Sequence, residues 1–557
     1  MKRLIFILVA VLSLSVAQGQ PGWTKKAARS IFTLKTFDAE GNLLSSSSGF
    51  FIGSDGEAVS GFMPFKGASR AVVIDSKGNE YPVASILGAN STYDVAKFRV
   101  EVKSSNPLML ATAAAVVGNN VWIMPYSTAK SPACHSGTIC KVENFLDSYA
   151  YYSVSDNKLE NSVGSPLFND EGEVIGIMQQ PFDKKDTVAY AVSVIYANTL
   201  KTNGLSINDA SLNSIKIKKE LPDELDQAIL TLYVAGAVLD STQYAVTVND
   251  FISKFPEAAD GYIYRAQLMA GAQRYSEADR DMAQALKVAD KKDDVHFNYS
   301  KLIYQAVAYH KASPYEGWTL DRAAEEAREA YSINPVSVYR QLEAQILFDQ
   351  KKYEESYNIY SQLFSGDMHN AETFFSAARC KEMMHDTVAV IALLDSAVNT
   401  FSKPYLKSAA PYLLARAQTL LGMNEYRKAV LDFNEYEKLM PAEVNANFYY
   451  IRARAEVEGH IYQAALNDFQ RALQMEPNNT MYLVDKASLE IRVGLYDEAI
   501  KTSQQCVKAD AKLSEGYLFL GLAQCLKGDK TEGVQNLLKA KDMGEPQAQE
   551  LIDEYGK

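Results

Sequence analysis

Hydrophobic and polar positions change their rhythm once along this chain. Between residues 21 and about 200, short apolar runs alternate with turn residues at the spacing of a β-barrel or sandwich. Ser30-Ile31-Phe32-Thr33-Leu34 precedes Gly41-Asn42, Gly49-Phe50-Phe51-Ile52 precedes Ser54-Asp55-Gly56, and Ala71-Val72-Val73-Ile74 precedes Lys77-Gly78-Asn79. Similar runs occupy residues 95–100, 120–124, 149–154, 174–178 and 188–192, and no helical period interrupts them. An all-β domain over 21–200 is expected. Residues 201–222, with Asn203-Gly204 and Lys216-Ile217-Lys218-Lys219-Glu220-Leu221-Pro222, read as a polar linker with room for one short strand.

From Asp223 onward the period is helical, and small residues recur at fixed offsets. Ala453, Ala487 and Gly521 are spaced by 34 residues, and so are Ala344 and Ala378. Ala465, Ala499 and Gly533 follow the first three by twelve residues, and Phe469, Ser503 and Leu537 come next. Ala417 leads Ala429, Phe433 and Pro441 in the same rhythm, and Ala266 leads Ala278 and Ala285. Gly459, Gly494 and Gly528 mark inter-helix turns, while Ile333-Asn334-Pro335 and Glu476-Pro477 supply stop signals. These residues resemble the tetratricopeptide repeat, which implies about nine helical hairpins over 223–557 and a capping helix after Pro546. Such an array implies a groove that binds protein or peptide partners. The repeat at Asp294–Pro335 carries an insertion, His310 to Trp318, and insertions often lie on a binding surface. The repeat near Ala378 has Met383-Met384-His385-Asp386 where a turn glycine is expected.

The β region carries the candidate chemistry. Asn161-Ser162-Val163-Gly164-Ser165-Pro166-Leu167 runs into a strand, the Glu171-Gly172 turn and a second strand. It resembles the nucleophile loop Gly-Asn-Ser-Gly-Gly-Pro-Leu of trypsin-like serine peptidases, especially the Deg-type, high-temperature-requirement proteases. Gly49-Phe50-Phe51-Ile52-Gly53-Ser54-Asp55-Gly56 matches a hairpin of that family, and Tyr93-Asp94-Val95-Ala96-Lys97-Phe98 matches the segment holding its orienting acid. The resemblance implies a trypsin-like double barrel with Val163 at the nucleophile, Met63 at the base, Asp94 at the acid and Asn161 at the oxyanion glycine. Only the acid is retained, so no catalytic residue is expected and the domain reads as a pseudoprotease. With no histidine to orient, Asp94 is expected to cap a turn. Ser162 and Ser165 offer hydroxyls nearby, but His135 is the only imidazole before residue 296 and falls in the other barrel half.

Composition narrows the function classes. The 557 residues are 47% hydrophobic and 22% charged, with net charge −12. That length calls for more than one core, and an acidic chain without clustered Lys and Arg is a poor nucleic-acid binder. Met1-Lys2-Arg3, an apolar run to about Val16 and Ala17-Gln18-Gly19 read as a signal peptide over 1–19. No later run is long enough to span a membrane. Five cysteines without zinc spacing point to buried free thiols, a Cys506–Cys525 bridge being the open alternative. No metal, nucleotide or other cofactor motif is present. The expected function is an exported protein-binding scaffold or adaptor of the bacterial cell envelope, in the periplasm or attached to an outer-membrane complex. The alternatives are a serine protease rearranged around Ser162 or Ser165, and a periplasmic chaperone-like holdase.

Overall fold

A computed structural model describes residues 20–129, 132–145, 149–155, 162–181, 188–309 and 315–555. The expected signal peptide, Asn161 and residues 310–314 of the insertion lie outside the described residues. Twelve strands form two closed six-stranded barrels. β1 (Ile31–Phe37), β2 (Leu43–Phe51), β3 (Glu57–Ser60), β4 (Arg70–Ile74), β5 (Glu80–Asn90) and β6 (Val95–Val100) close in the order β1-β2-β3-β6-β5-β4. β7 (Asn120–Ile123), β8 (His135–Phe145), β9 (Tyr149–Val154), β10 (Pro166–Phe168), β11 (Val174–Gln179) and β12 (Ala189–Ser193) close in the order β10-β11-β12-β9-β8-β7.

The uninterrupted apolar runs have a simple cause. Successive strand residues point to opposite faces, and here both faces are covered. Phe51 enters the first barrel core with Phe32, Leu34, Phe65 and Phe98. Its neighbour Phe50 joins Val59, Trp122, Phe168 and Ile177 in a cluster between the barrels. Likewise Leu167 fills the second barrel with Ile123, Tyr152 and Ile175, while Phe168 faces outward into the shared cluster. Each such side chain withdrawn from water contributes about 2–3 kcal/mol.

The stretch expected to be a polar linker is packed structure. Asp209 caps the short helix Ala210–Ser214, and Leu212, Ile215 and Ile217 complete the first barrel core. Residues 218–220 run parallel to β5, with Ile86 N–H donating to the Lys218 carbonyl at 2.8 Å and Glu220 N–H donating to the Ile86 carbonyl at 2.9 Å. Glu220 then accepts from Arg99 at 3.0 Å and from Ser85 Oγ at 2.8 Å. Period-two alternation, Ile215-Lys216-Ile217-Lys218, is what places two isoleucines inward and two lysines outward.

Nineteen helices follow among the described residues, from Leu225 to Tyr555, so the chain is a double barrel succeeded by an all-α repeat region. Two compact units divide after Ala289. The first therefore holds the barrels together with Leu225–Val238, Ser241–Lys254, Ala259–Gly271 and Tyr275–Val288. Lys254 Nζ anchors this junction by donating to the Leu221 carbonyl at 2.6 Å and to Asp223 at 2.7 Å.

In the second unit antiparallel helix pairs repeat. The small residues Ala453, Ala465, Ala487 and Ala499 are buried where paired helices meet. A Cβ added to Gly521 would stand 2.7 Å from the Gly533 carbonyl oxygen, so these two helices come close enough to exclude a methyl group. The inter-helix turns share one left-handed residue, at Lys351, His385, Asn424, His460, Gly494 and Gly528. Glycine is thus optional there. His385 occupies the position where the sequence lacked glycine, and in the 458–461 turn His460, rather than Gly459, takes the positive φ. All five cysteines are free. Cys380, Cys506 and Cys525 are buried, Cys134 is half-buried and Cys140 is exposed.

Candidate functional site

The loop at Val163 is built by hydrogen bonds to both barrels. Ser165 N–H donates to the Ser162 carbonyl at 2.9 Å, closing a tight turn, and Gly164 N–H donates to the Met178 carbonyl at 2.8 Å. Ser48 N–H, from the first barrel, donates to the Val163 carbonyl at 3.0 Å. Gly164 has φ +79, and a Cβ there would lie 2.1 Å from the Ser48 carbonyl oxygen and 2.7 Å from Ser60 Oγ. Only glycine fits, for reasons of both backbone angle and space. Ser60 Oγ itself donates to the Ser48 carbonyl at 2.7 Å. The loop is therefore clasped against β2 and β3, three residues before Met63.

Met63 opens a 3-10 turn, Met63–Phe65, and its side chain is 52% exposed. Asp94 sits between β5 and β6 with φ 50. Its Oδ1 accepts the Met63 backbone N–H at 2.8 Å. Burial pushes this carboxyl above the usual aspartate range, and the backbone N–H groups of Met63 and Phe62 pull the other way. The carboxylate thus bonds the first N–H of the 3-10 turn at Met63, 31 residues away in sequence, and a left-handed backbone suits aspartate better than most residues.

The fold brings Met63 and Asp94 into direct contact and sets the Val163 loop beside the strand that leads to Met63. Neither Met63 nor Val163 offers an atom that takes up or gives up a proton. Ser162 and Ser165 are buried, and no hydrogen-bond partner serves Ser165 Oγ among the described residues. His135 begins β8 opposite Ile123, which in turn pairs with Leu167. Two strand spacings, roughly 10 Å, therefore separate the His135 backbone from that of β10. The sequence left this histidine remote, because only barrel closure brings β7 and β8 beside the loop strand.

Several contributors carry no motif. Gln179 donates to the Asp94 carbonyl at 3.4 Å. Tyr93, Tyr149 and Tyr196 form a cluster beside Asp94, with the Tyr93 and Tyr196 rings stacked 4.1 Å apart. Burial, then the neighbouring charges of Tyr190 and Asp94, pushes the Tyr151 phenol well up. The result is a weakly polar, aromatic surround in which Asp94 has no cationic partner among the described residues.

In the repeats, Arg265 pairs with Asp281, Arg416 with Asp432 and Arg452 with Asp468, each by two hydrogen bonds across 16 residues. An arginine just before the small residue of the first helix and an aspartate sixteen residues on would have revealed them in the sequence.

Residues 47–177 match the family described as Trypsin-like peptidase domain. Among solved structures, the active form of the Rv3671c protease from M. tuberculosis is similar at 14% identity, with a TM-score of 0.28, over 32% of this chain and 82% of that one. The Small glutamine-rich tetratricopeptide repeat-containing protein 2 of Saccharomyces cerevisiae is 27% identical over 91 residues, 16% of this chain and 26% of that protein. The Hsp70-Hsp90 organizing protein of Triticum aestivum is 22% identical over 159 residues, 28% of this chain and 26% of that protein. The chain spans about a quarter of the length of these curated relatives. It combines a trypsin-like peptidase domain with a region of tetratricopeptide type. Among the described residues no helix is long and apolar enough to cross a membrane.

Proposed function

We propose that this chain is an exported protein-binding scaffold or adaptor of the bacterial cell envelope, whose trypsin-like domain no longer hydrolyses peptides. One observation carries the reading: the residue whose backbone N–H the Asp94 carboxylate accepts, at 2.8 Å, is Met63, so a thioether stands where a working triad would present an imidazole to that acid. Serine peptidases need nucleophile and base to act as a unit, and loss of either costs roughly 10⁶ in turnover. A thioether at 63 and a hydrocarbon at 163 supply neither. The nearby serine hydroxyls are buried, and a hydroxyl without a base is a poor nucleophile. What remains is a rigid double barrel, to which the first helical hairpins are anchored, and a repeat region whose relatives carry tetratricopeptide repeats. The basic head and apolar run at the N-terminus support export, and attachment to an outer-membrane assembly belongs to the same proposal.

Crosslinking in intact cells, followed by affinity purification of the full chain, tests the reading. A scaffold recovers one or a few partners in fixed proportion. A broad, stoichiometrically poor set of unrelated exported proteins would replace the scaffold with a holdase.

A further inference from the structure

Two connections between consecutive repeats are longer than the rest. Residues 334–336, 476–479 and 510–513 join helix pairs with three or four residues, whereas 363–370 and 400–409 use eight and ten. Both long connections flank the same helix pair, Ala371–Met383 and Thr387–Asn399. Together with the starts of neighbouring helices they line an open, shallow pocket of about 540 Å³. Its wall includes Gln341, Met368, His369, Glu372, Phe401 and Tyr412, with no lysine or arginine among the lining residues.

The lining has a definite polarity. Phe401 and Tyr412 stack with centroids 5.7 Å apart, and Phe375 braces Tyr412 edge-on at 5.5 Å. The Tyr412 hydroxyl donates to Glu372 Oε2 at 3.0 Å, which consumes its only proton and leaves both groups as acceptors. His369 Nδ1 lies 2.6 Å from the Phe364 carbonyl oxygen, and a carbonyl can only accept. His369 therefore carries a proton on Nδ1, which the Phe364 carbonyl accepts. Burial, with the Glu372 charge beside it, pushes the Tyr412 phenol up to about 12, so it stays protonated and keeps pointing its proton at the carboxylate. A carboxylate beside aromatic rings, with no lysine or arginine in the lining, forms a surface that attracts a cation and offers little to an anion.

We infer that this pocket seats a cationic side chain, arginine or lysine, of a partner polypeptide bound along the second unit. The inference rests on the scaffold reading and gives the partner a chemistry: its contacting segment is basic, complementary to a chain of net charge −12. The guanidinium or ammonium lies against Phe401 and Tyr412 and donates to Glu372.

The test uses the full chain with ¹³C-methyl-labelled methionine and follows Met368, in the pocket wall, during titration with N-acetyl-arginine amide. The neutral isostere N-acetyl-citrulline amide and the anionic N-acetyl-glutamate amide are the controls. The expected result is a saturable Met368 shift with arginine, with Kd about tenfold weaker for citrulline and no saturation for glutamate. Glu372→Gln, which keeps size and hydrogen bonding, should bring arginine down to the citrulline level, and Tyr412→Phe should weaken it less. Equal affinity for arginine and citrulline, an unchanged titration in E372Q, or no Met368 shift up to the solubility of arginine amide would overturn the inference. If the same wild-type chain still captures its crosslinked partner in cells while arginine fails, the scaffold reading stands and only the pocket chemistry falls.

Discussion

Replacing Asp94 separates a structural carboxylate from a catalytic one. Asp94→Ala removes the acceptor that holds the Met63 N–H at 2.8 Å and places alanine at φ 50. A hydrogen bond to a charged carboxylate is worth about 1.5–3 kcal/mol, and alanine in left-handed backbone adds roughly 1 kcal/mol. Loss of about 2–4 kcal/mol from the barrel region is expected at neutral pH. Asp94→Asn keeps an acceptor oxygen and tolerates the same φ, so it should fall within about 1 kcal/mol of wild type.

The pH dependence sharpens this contrast. Burial raises the folded-state pKa of Asp94 above its unfolded value. The folded state then holds this proton more tightly, so its contribution is most favourable at low pH. It declines as pH rises from the ordinary aspartate pKa through the raised one. Asp94→Asn should lose that decline. Urea unfolding followed by tryptophan fluorescence reports it. Trp23 and Trp122 lie in the barrel region and Trp318 in the second unit, so a Trp318→Phe background isolates the barrels. If asparagine costs as much as alanine, or if neither costs anything, the carboxylate is not acting as a cap.

Gly164→Ala should destabilise the barrels by about 3 kcal/mol, since the new methyl meets a backbone oxygen at 2.1 Å in a positive-φ residue; thermal unfolding reads the loss. Ile215→Ala should cost about 2–4 kcal/mol by the same assay, because the residue lies wholly inside the first barrel core. Glu456, whose Oε2 has no hydrogen-bond partner among the described residues, is pushed up to about 8 by burial and then by the Asp468 charge. A raised carboxyl loses stability as pH rises from its unfolded value through the folded one. Glu456→Gln should therefore stabilise the repeats at pH 9 by on the order of 3 kcal/mol, and the gain should vanish toward pH 4. Finally, Met63→His with Val163→Ser and Asn161→Gly should make the folded barrel react with a fluorophosphonate. Silence from a folded triple variant would break the assignment of positions 63 and 163.

The sequence made the strands with unbroken or alternating apolar residues visible: β11 is buried on both faces, and β6 alternates buried apolar residues with the half-buried Lys97 and Arg99. β5 and β8 escaped. β5 contains Pro82 and shifts register twice against β6, and β8 is largely polar, so neither keeps a clean period. The helical hairpins were visible because close packing forces small residues to recur at 34-residue spacing. Their long connections were not, since a loop that forms a pocket leaves no periodic trace. At the candidate site, the positions of Met63, Asp94 and Val163 could be read from motif offsets. The clasp by Ser48 and Ser60 could not, because it depends on how one barrel meets the other. Over residues 215–222 lysines between isoleucines give a polar average; the sequence leaves room for one short strand there but does not show that Ile215 and Ile217 complete the first barrel core.

The central claim is that this trypsin-like domain has exchanged catalysis for binding support. Incubating the purified full chain with a fluorophosphonate probe, then measuring intact mass and mapping any modified peptide, tests it most directly. The account predicts an unmodified chain over times that fully label an active serine peptidase. An adduct on Ser162 or Ser165 would contradict it.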